Sequence, residues 1–233
     1  MMVDLEDKFH LTRIESLNLA KAMWDRTVHF GMIMENRNVT FPDTQSILRG
    51  INTPDATEKD VQSILNMRDA WKIVVKKISK KIDLRYICGI NRVVAYNESS
   101  AWGVLRDGGV KISGCVYRPA IPEKGNVIRE LDELFAITES DTQKALRLFL
   151  WTARSQLFFD GNKRTAMIIA NKHLLHYGRG MFFLEGQSRK NFVSVLIEFY
   201  ETNNYRPALD YLYQNGIVGK ISMSDEPDSK PRP

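Results

Sequence analysis

Apolar residues recur at three- and four-residue intervals along almost the whole chain, a period that admits amphipathic helices packed on one another and little else. One long helix is expected from Ile14 to about Glu35, where Leu17, Ala20, Met23, Trp24 and Val28 keep the spacing and Asn36 supplies a stop. A short helix from Asp43 to Arg49 ends at Gly50, and Thr57 with Asp60 opens a second long helix reaching Ile78. Further helices are expected at Leu84 to Tyr96, at Ile128 to Phe135, and from the Ser140/Gln143 capping pattern through Leu157. The last three run from Lys163 to Tyr177, closed by Gly178 and Gly180, from Ser188 to Thr202, and from Pro207 to Gln214. The period changes once. Ala101 to Arg106 and Val110 to Ile112 flank Asp107-Gly108-Gly109, whose glycines suit a tight hairpin turn, and Pro119 and Pro122 keep the next segment extended. The expected fold class is therefore all-α with one small β-hairpin.

With 43% hydrophobic residues in 233, the chain can bury a sizeable core without metals or disulfides. Cys88 and Cys115 stand apart from any His/Cys cluster, which excludes a disulfide framework or zinc ligand set and suits a reducing, cytoplasmic compartment. The first residues carry acids where a secretion signal would be basic, and no run of about 18 apolar residues occurs, so no membrane partner is expected. The formal charge of +5 comes from cations spread among acids, which describes solvated helix faces better than a nucleic-acid footprint. Residues 1–50 are read as N-terminal helices, 51–216 as the core, and 217–233 as a flexible tail, disordered from Met223.

The segment Phe158-Phe159-Asp160-Gly161-Asn162-Lys163-Arg164 joins two strongly periodic helices, so Gly161 and its followers open the second of them. A helix start aims N–H groups and the positive dipole end at whatever precedes it, which suits a phosphate. Lys163 and Arg164 in that first turn oppose the dipole, a cost that a bound anion would offset. Asp160 beside such an anion is the kind of single acid that holds Mg²⁺ together with phosphate oxygens. The same residues also read as an N-cap (Asp160), a turn residue (Asn162) and two solvated cations, and the loop chemistry alone leaves both readings open.

The run from Gln156 to Met167 resembles the Fic family pattern HxFxxGNxRxxR, matching it at Phe158, Gly161, Asn162 and Arg164, with the frequent acid at Asp160. The resemblance extends over about Ile14 to Gly216 and implies the Fido fold. It further implies that the loop binds ATP, with Asp160 on Mg²⁺, Gly161 and Asn162 on the α and β phosphates, Lys163 and Arg164 on the distal phosphates, and Phe158 in the core. The run Asn162 to Ala166 is similar to the Doc branch, whose members phosphorylate rather than transfer AMP.

Two positions depart from the pattern. Gln156 stands where the family has its catalytic histidine; an amide can orient a hydroxyl but cannot take its proton, a loss worth roughly 10²- to 10⁴-fold in rate. Met167 stands at the second arginine. Gly31 to Asn36 is similar to the family's inhibitory helix, with Glu35 as the inhibitory glutamate; in the family this acid pairs with the second arginine, so here the lock is expected to lack its partner. The hairpin and the stretch through Gly114 and Tyr117 look like the flap on which a target segment docks by adding a strand.

His173 and His176 share a helix three residues apart, but no third metal ligand is suggested, and a structural role is expected. Three functions remain open. The first is a Fic-like domain that binds ATP or a related phosphate ligand and is impaired in AMP transfer. The second is an active protein adenylyltransferase or Doc-like phosphotransferase. The third is a helical interaction module without nucleotide. The implied partners are the nucleotide and a protein target or antitoxin-like regulator.

Overall fold

Three helices begin on reciprocal caps in which a threonine hydroxyl accepts the N–H of the third residue and that residue's carboxylate accepts the threonine N–H. The pairs are Thr12/Glu15, Thr40/Asp43 and Thr57/Asp60, opening α1 (Arg13–Met34), α2 (Phe41–Leu48) and α3 (Glu58–Lys76). Then come α4 (Leu84–Val94), α5 (Lys124–Ala136), α6 (Asp141–Ser155), α7 (Asn162–Tyr177), β1 (Met181–Phe182), α8 (Ser188–Thr202), α9 (Tyr205–Gly216) and β2 (Ile217–Val218). This computed structural model describes residues 5–51, 53–186 and 188–220.

The centre of the fold is α7, buried from Arg164 through Leu175, with α6 packed along it and α1, α3 and α4 around its other sides. A helix buried on all faces must satisfy its polar side chains internally. Accordingly Asn171 Nδ2 donates to Phe182 O at 2.8 Å, Lys172 Nζ to Ile78 O at 3.1 Å, and His173 Nε2 meets Asp141 Oδ1 at 3.1 Å. His173 is thus buried against Asp141 of α6. Glycine closes α7: Gly178 has φ +71°, and a Cβ there would lie 2.0 Å from Leu11 O. An N-terminal strap needs this room, since Leu11 N donates to Gly178 O while Asp7 accepts from Thr142 at the start of α6.

Two expectations change. Residues 101–112 form no hairpin and carry no strand. The groups that would pair across it are used elsewhere: Arg106 N donates to Leu157 O, Gly103 N donates to Asn91, and the Arg106 side chain takes the Gly108 carbonyl. The one sheet among the described residues is antiparallel and pairs Met181 with Val218 and Phe182 with Ile217. Residues 217 and 218 are therefore a strand rather than part of a loose tail, while the stretch from Met223 lies outside the described residues. No helix among the described residues is long and apolar enough to cross a membrane.

Candidate functional site

The loop between α6 and α7 is shaped by two left-handed residues. Gln156 ends α6 at φ 46°, and Gly161 caps α7 at φ 72°. A Cβ on Gly161 would stand 3.1 Å from Ala95 Cβ and 3.2 Å from Val94 Cγ1, so glycine serves both the turn and the close approach to α4. Phe158 fills the core beneath, with no exposed surface. Asn162 staples the loop: its Oδ1 accepts Phe158 N at 3.0 Å, and its Nδ2 donates to Phe158 O at 2.7 Å and Gln156 Oε1 at 3.2 Å. The side chain assigned by resemblance to phosphate is therefore committed to loop geometry. Gln156 is similarly engaged, its Nε2 donating to Ala153 O at 2.7 Å.

Asn91 of α4 holds the loop from outside. It is fully buried, donates to Asp160 O at 3.0 Å and Thr165 Oγ1 at 3.2 Å, and accepts Gly103 N at 2.8 Å. Asp160 directs Oδ1 to Gly161 N at 2.5 Å and Arg164 at 3.2 Å, while Oδ2 makes no hydrogen bond among the described residues.

Arg164, expected on the distal phosphates, has no exposed surface at all. It is enclosed by carboxylates: Glu98 Oε1 at 2.8 Å, Asp160 Oδ1 at 3.2 Å and Glu35 Oε1 at 3.5 Å. Burial acts to discharge the guanidinium, but Glu35, Glu98 and Asp160 together outweigh it and hold its pKa above the ordinary value. Lys163 Nζ donates to Met34 O and pairs with Glu35 Oε2 at 3.3 Å. Glu35 thus reaches the motif and finds partners, in contrast to the expectation from Met167. Met167 itself is wholly buried, with Cε 3.5 Å from where a Gly31 Cβ would stand, so α1 packs directly on α7 at this level.

Sequence reasoning missed Glu98. Its side chain, 3% exposed, accepts from Arg37, Ser63, Asn66 and Arg164 at 2.6 to 3.0 Å. These donors come from α3, α7 and the α1–α2 connection, so no local pattern in the sequence marks it. Arg106 was also missed. It is 1% exposed and donates to the carbonyls of Gln156, Gly108, Pro119 and Ala120, with no carboxylate partner among the described residues; burial lowers its pKa. It ties residues 108 and 119–120, on either side of the 109–118 segment, to the loop. In that segment Gly114 takes φ 72° beside Ile197, and the Tyr117 ring lies 4.0 Å from the Arg154 guanidinium.

A cavity of about 290 Å³ opens where these parts meet, lined by the polar Glu35, Gln156 and Lys163 and by Ile112, Phe192 and Tyr200 among others. The Tyr200 hydroxyl is buried without a partner among the described residues, and burial, with Glu35 adding, pushes its pKa far up. The cavity thus sets apolar walls beside Lys163, a cation of the first turn of α7.

Residues 81–174 match the Fic/DOC family. No curated protein matches the chain. Among solved structures, Fic-1 (residues 134–508) from C. elegans is 17% identical with a TM-score of 0.70, covering 87% of this chain and 66% of that one. A Fic domain containing signaling protein from Bacteroides thetaiotaomicron is 18% identical with a TM-score of 0.71, over 88% of this chain and 87% of that one. A Fic family protein from Desulfovibrio desulfuricans is 15% identical with a TM-score of 0.70, over 84% of this chain and 63% of that one. This chain therefore spans just under two thirds of the first and third of these. Residues 81–174, which carry the motif, match the Fic/DOC family, and the chain has the fold of a Fic domain.

Proposed function

We propose that the chain binds a nucleotide phosphate at the α7 N-terminus, in competition with Glu35, and transfers AMP poorly because Gln156 replaces the base. Proteins of the family typically bind ATP and transfer AMP or other groups. One observation carries the proposal: Lys163, Gln156, Glu35 and Tyr200 line one cavity, in which the Lys163 cation is met by the chain's own Glu35 carboxylate. The donor set fits ATP with Mg²⁺. Asp160 leaves Oδ2 unused beside a helix start, and Mg²⁺ is commonly held by one or two acids plus phosphate oxygens. When bound, ATP supplies the activated phosphate. The chain's own residues do the rest: Lys163 exchanges Glu35 for the anion, Asn162 and Asn91 keep the loop rigid, and Gln156 orients a hydroxyl without accepting its proton. The cytoplasm is the proposed compartment, and a protein target or regulator on the flap the proposed partner.

The test is incubation with ATP labelled separately at the α and γ phosphates, on the wild type and on Gln156→His. The proposal expects little or no transfer by the wild type and α-label transfer by the variant. Robust transfer of either label by the wild type would favour a working transferase.

A further inference from the structure

On the α1–α3 face, a groove of about 520 Å³ runs between α1, the end of α2 and α3, floored by Ala20, Trp24, Leu48 and Trp71, with Val75 at its edge. Its rim carries Lys21, Arg68, Lys72 and Lys76, and none of its lining residues is acidic. Asp69, just outside, pairs with Arg68 at 3.0 Å and Lys72 at 2.8 Å and offsets part of that charge, but four cations against one acid leave the rim strongly positive. Trp71 and Ala20 are 2% and 1% exposed, so the apolar surface a partner can reach is chiefly that of Trp24, Leu48 and Val75, between the cations. A flat bilayer or a nucleic-acid backbone would meet the lysines without reaching this floor. A narrow element whose apolar side chains project inward, flanked on both sides by acids, would meet both.

We infer that this groove is a docking site for an acidic amphipathic helix of a partner protein. Apolar residues spaced at i, i+3, i+4 and i+7 on such a helix fill the slot between Trp24 and Val75, and flanking Glu or Asp residues meet Lys21 on one wall and Lys72 and Lys76 on the other. The apolar floor supplies the affinity, and the rim selects the sign of the partner and speeds its encounter.

The experiment uses the full chain and three labelled helical peptides of about 18 residues that share one leucine stripe and carry Glu, Gln or Lys beside it. Anisotropy titrations are expected to show saturable binding of the Glu peptide, at least about tenfold tighter than the Gln peptide and weakened by salt, with no binding of the Lys peptide. Lys21→Glu with Lys76→Glu is expected to weaken the Glu peptide about tenfold or more. Both lysines are exposed, so the variant keeps the wild-type circular dichroism spectrum. Trp24→Ala is expected to abolish saturation. The inference is overturned if Glu and Lys peptides bind alike, or if the Glu peptide does not saturate by about 1 mM. It is also overturned if vesicles containing anionic lipid sediment the protein through Lys21 and Lys76 and the Glu peptide fails to compete.

Discussion

Glu98→Gln tests whether the motif arginine is held by the polar cluster beneath the cavity. Glu98 is 3% exposed, accepts from four side chains, and is the shortest ion-pair partner of the fully buried Arg164. The amide keeps the shape but removes the charge and turns donors toward donors. Glu35 and Asp160 remain near Arg164, at 3.5 and 3.2 Å, so its neutralisation is incomplete rather than lost. Breaking a buried pair from one side costs about 3–5 kcal/mol, and with these remaining acids the lower figure of about 3 kcal/mol applies. For a chain of 233 residues this lowers Tm by about 6–12 °C. The matched control is Glu133→Gln, whose Arg129 pair is 3.9 Å long with both side chains more than 60% exposed; it is expected to change stability by less than about 0.5 kcal/mol. Calorimetric melting of the three proteins decides it. A fall for Glu98→Gln no larger than that of the control refutes the claim that Glu98 neutralises Arg164.

Three further outcomes are expected. Lys172 is buried with no carboxylate partner among the described residues, and burial lowers its pKa from 10.5 to about 8. The unfolded chain keeps the proton up to about 10.5, so unfolding takes up a proton between those values and stability rises with pH across that window. Lys172→Met is expected to stabilise the protein at pH 7 by at most about 3 kcal/mol, and its advantage in urea melts should vanish as pH climbs from about 8 to 10; a constant advantage would contradict the reasoning. Gly161→Ala, forced into φ 72° against Val94 and Ala95, is expected to cost about 2 kcal/mol and weaken nucleotide binding, read by thermal melts with and without ATP. Arg106→Leu leaves the carbonyls of Gln156, Gly108, Pro119 and Ala120 without their donor, and amide exchange across 106–120 is expected to accelerate while α3 and α4 stay protected.

What the sequence disclosed follows the range of the interactions. The helices, the caps at Thr57 and Ser140, the helix start at Gly161 and the glycine stop at Gly178 are local, and the structure has them within a few residues of where the pattern puts them. The hairpin at Asp107-Gly108-Gly109 was signalled by turn residues alone, and the distant Asn91 and Leu157 take the backbone groups it needed. The pairing of Phe182 with Ile217 joins segments too short to show a period of two. The motif loop was legible because its glycine, asparagine and arginine are contiguous. Its supports were not: Asn91, Glu98 and Arg106 act on residues 69, 66 and 50 positions away. Glu35 was legible as a candidate, while its seat on Lys163 and Arg164 required the packing of α1 on α7.

The central claim is that Glu35 takes the Lys163 cation in place of a nucleotide phosphate. Isothermal titration of the wild type and Glu35→Ala with ATP and Mg²⁺ tests it most directly. The account predicts measurable binding by the wild type and affinity about tenfold or more higher in the variant, where Lys163 and Arg164 lose their competing carboxylate. Equal affinities, or no binding by either protein at millimolar ATP, would contradict it.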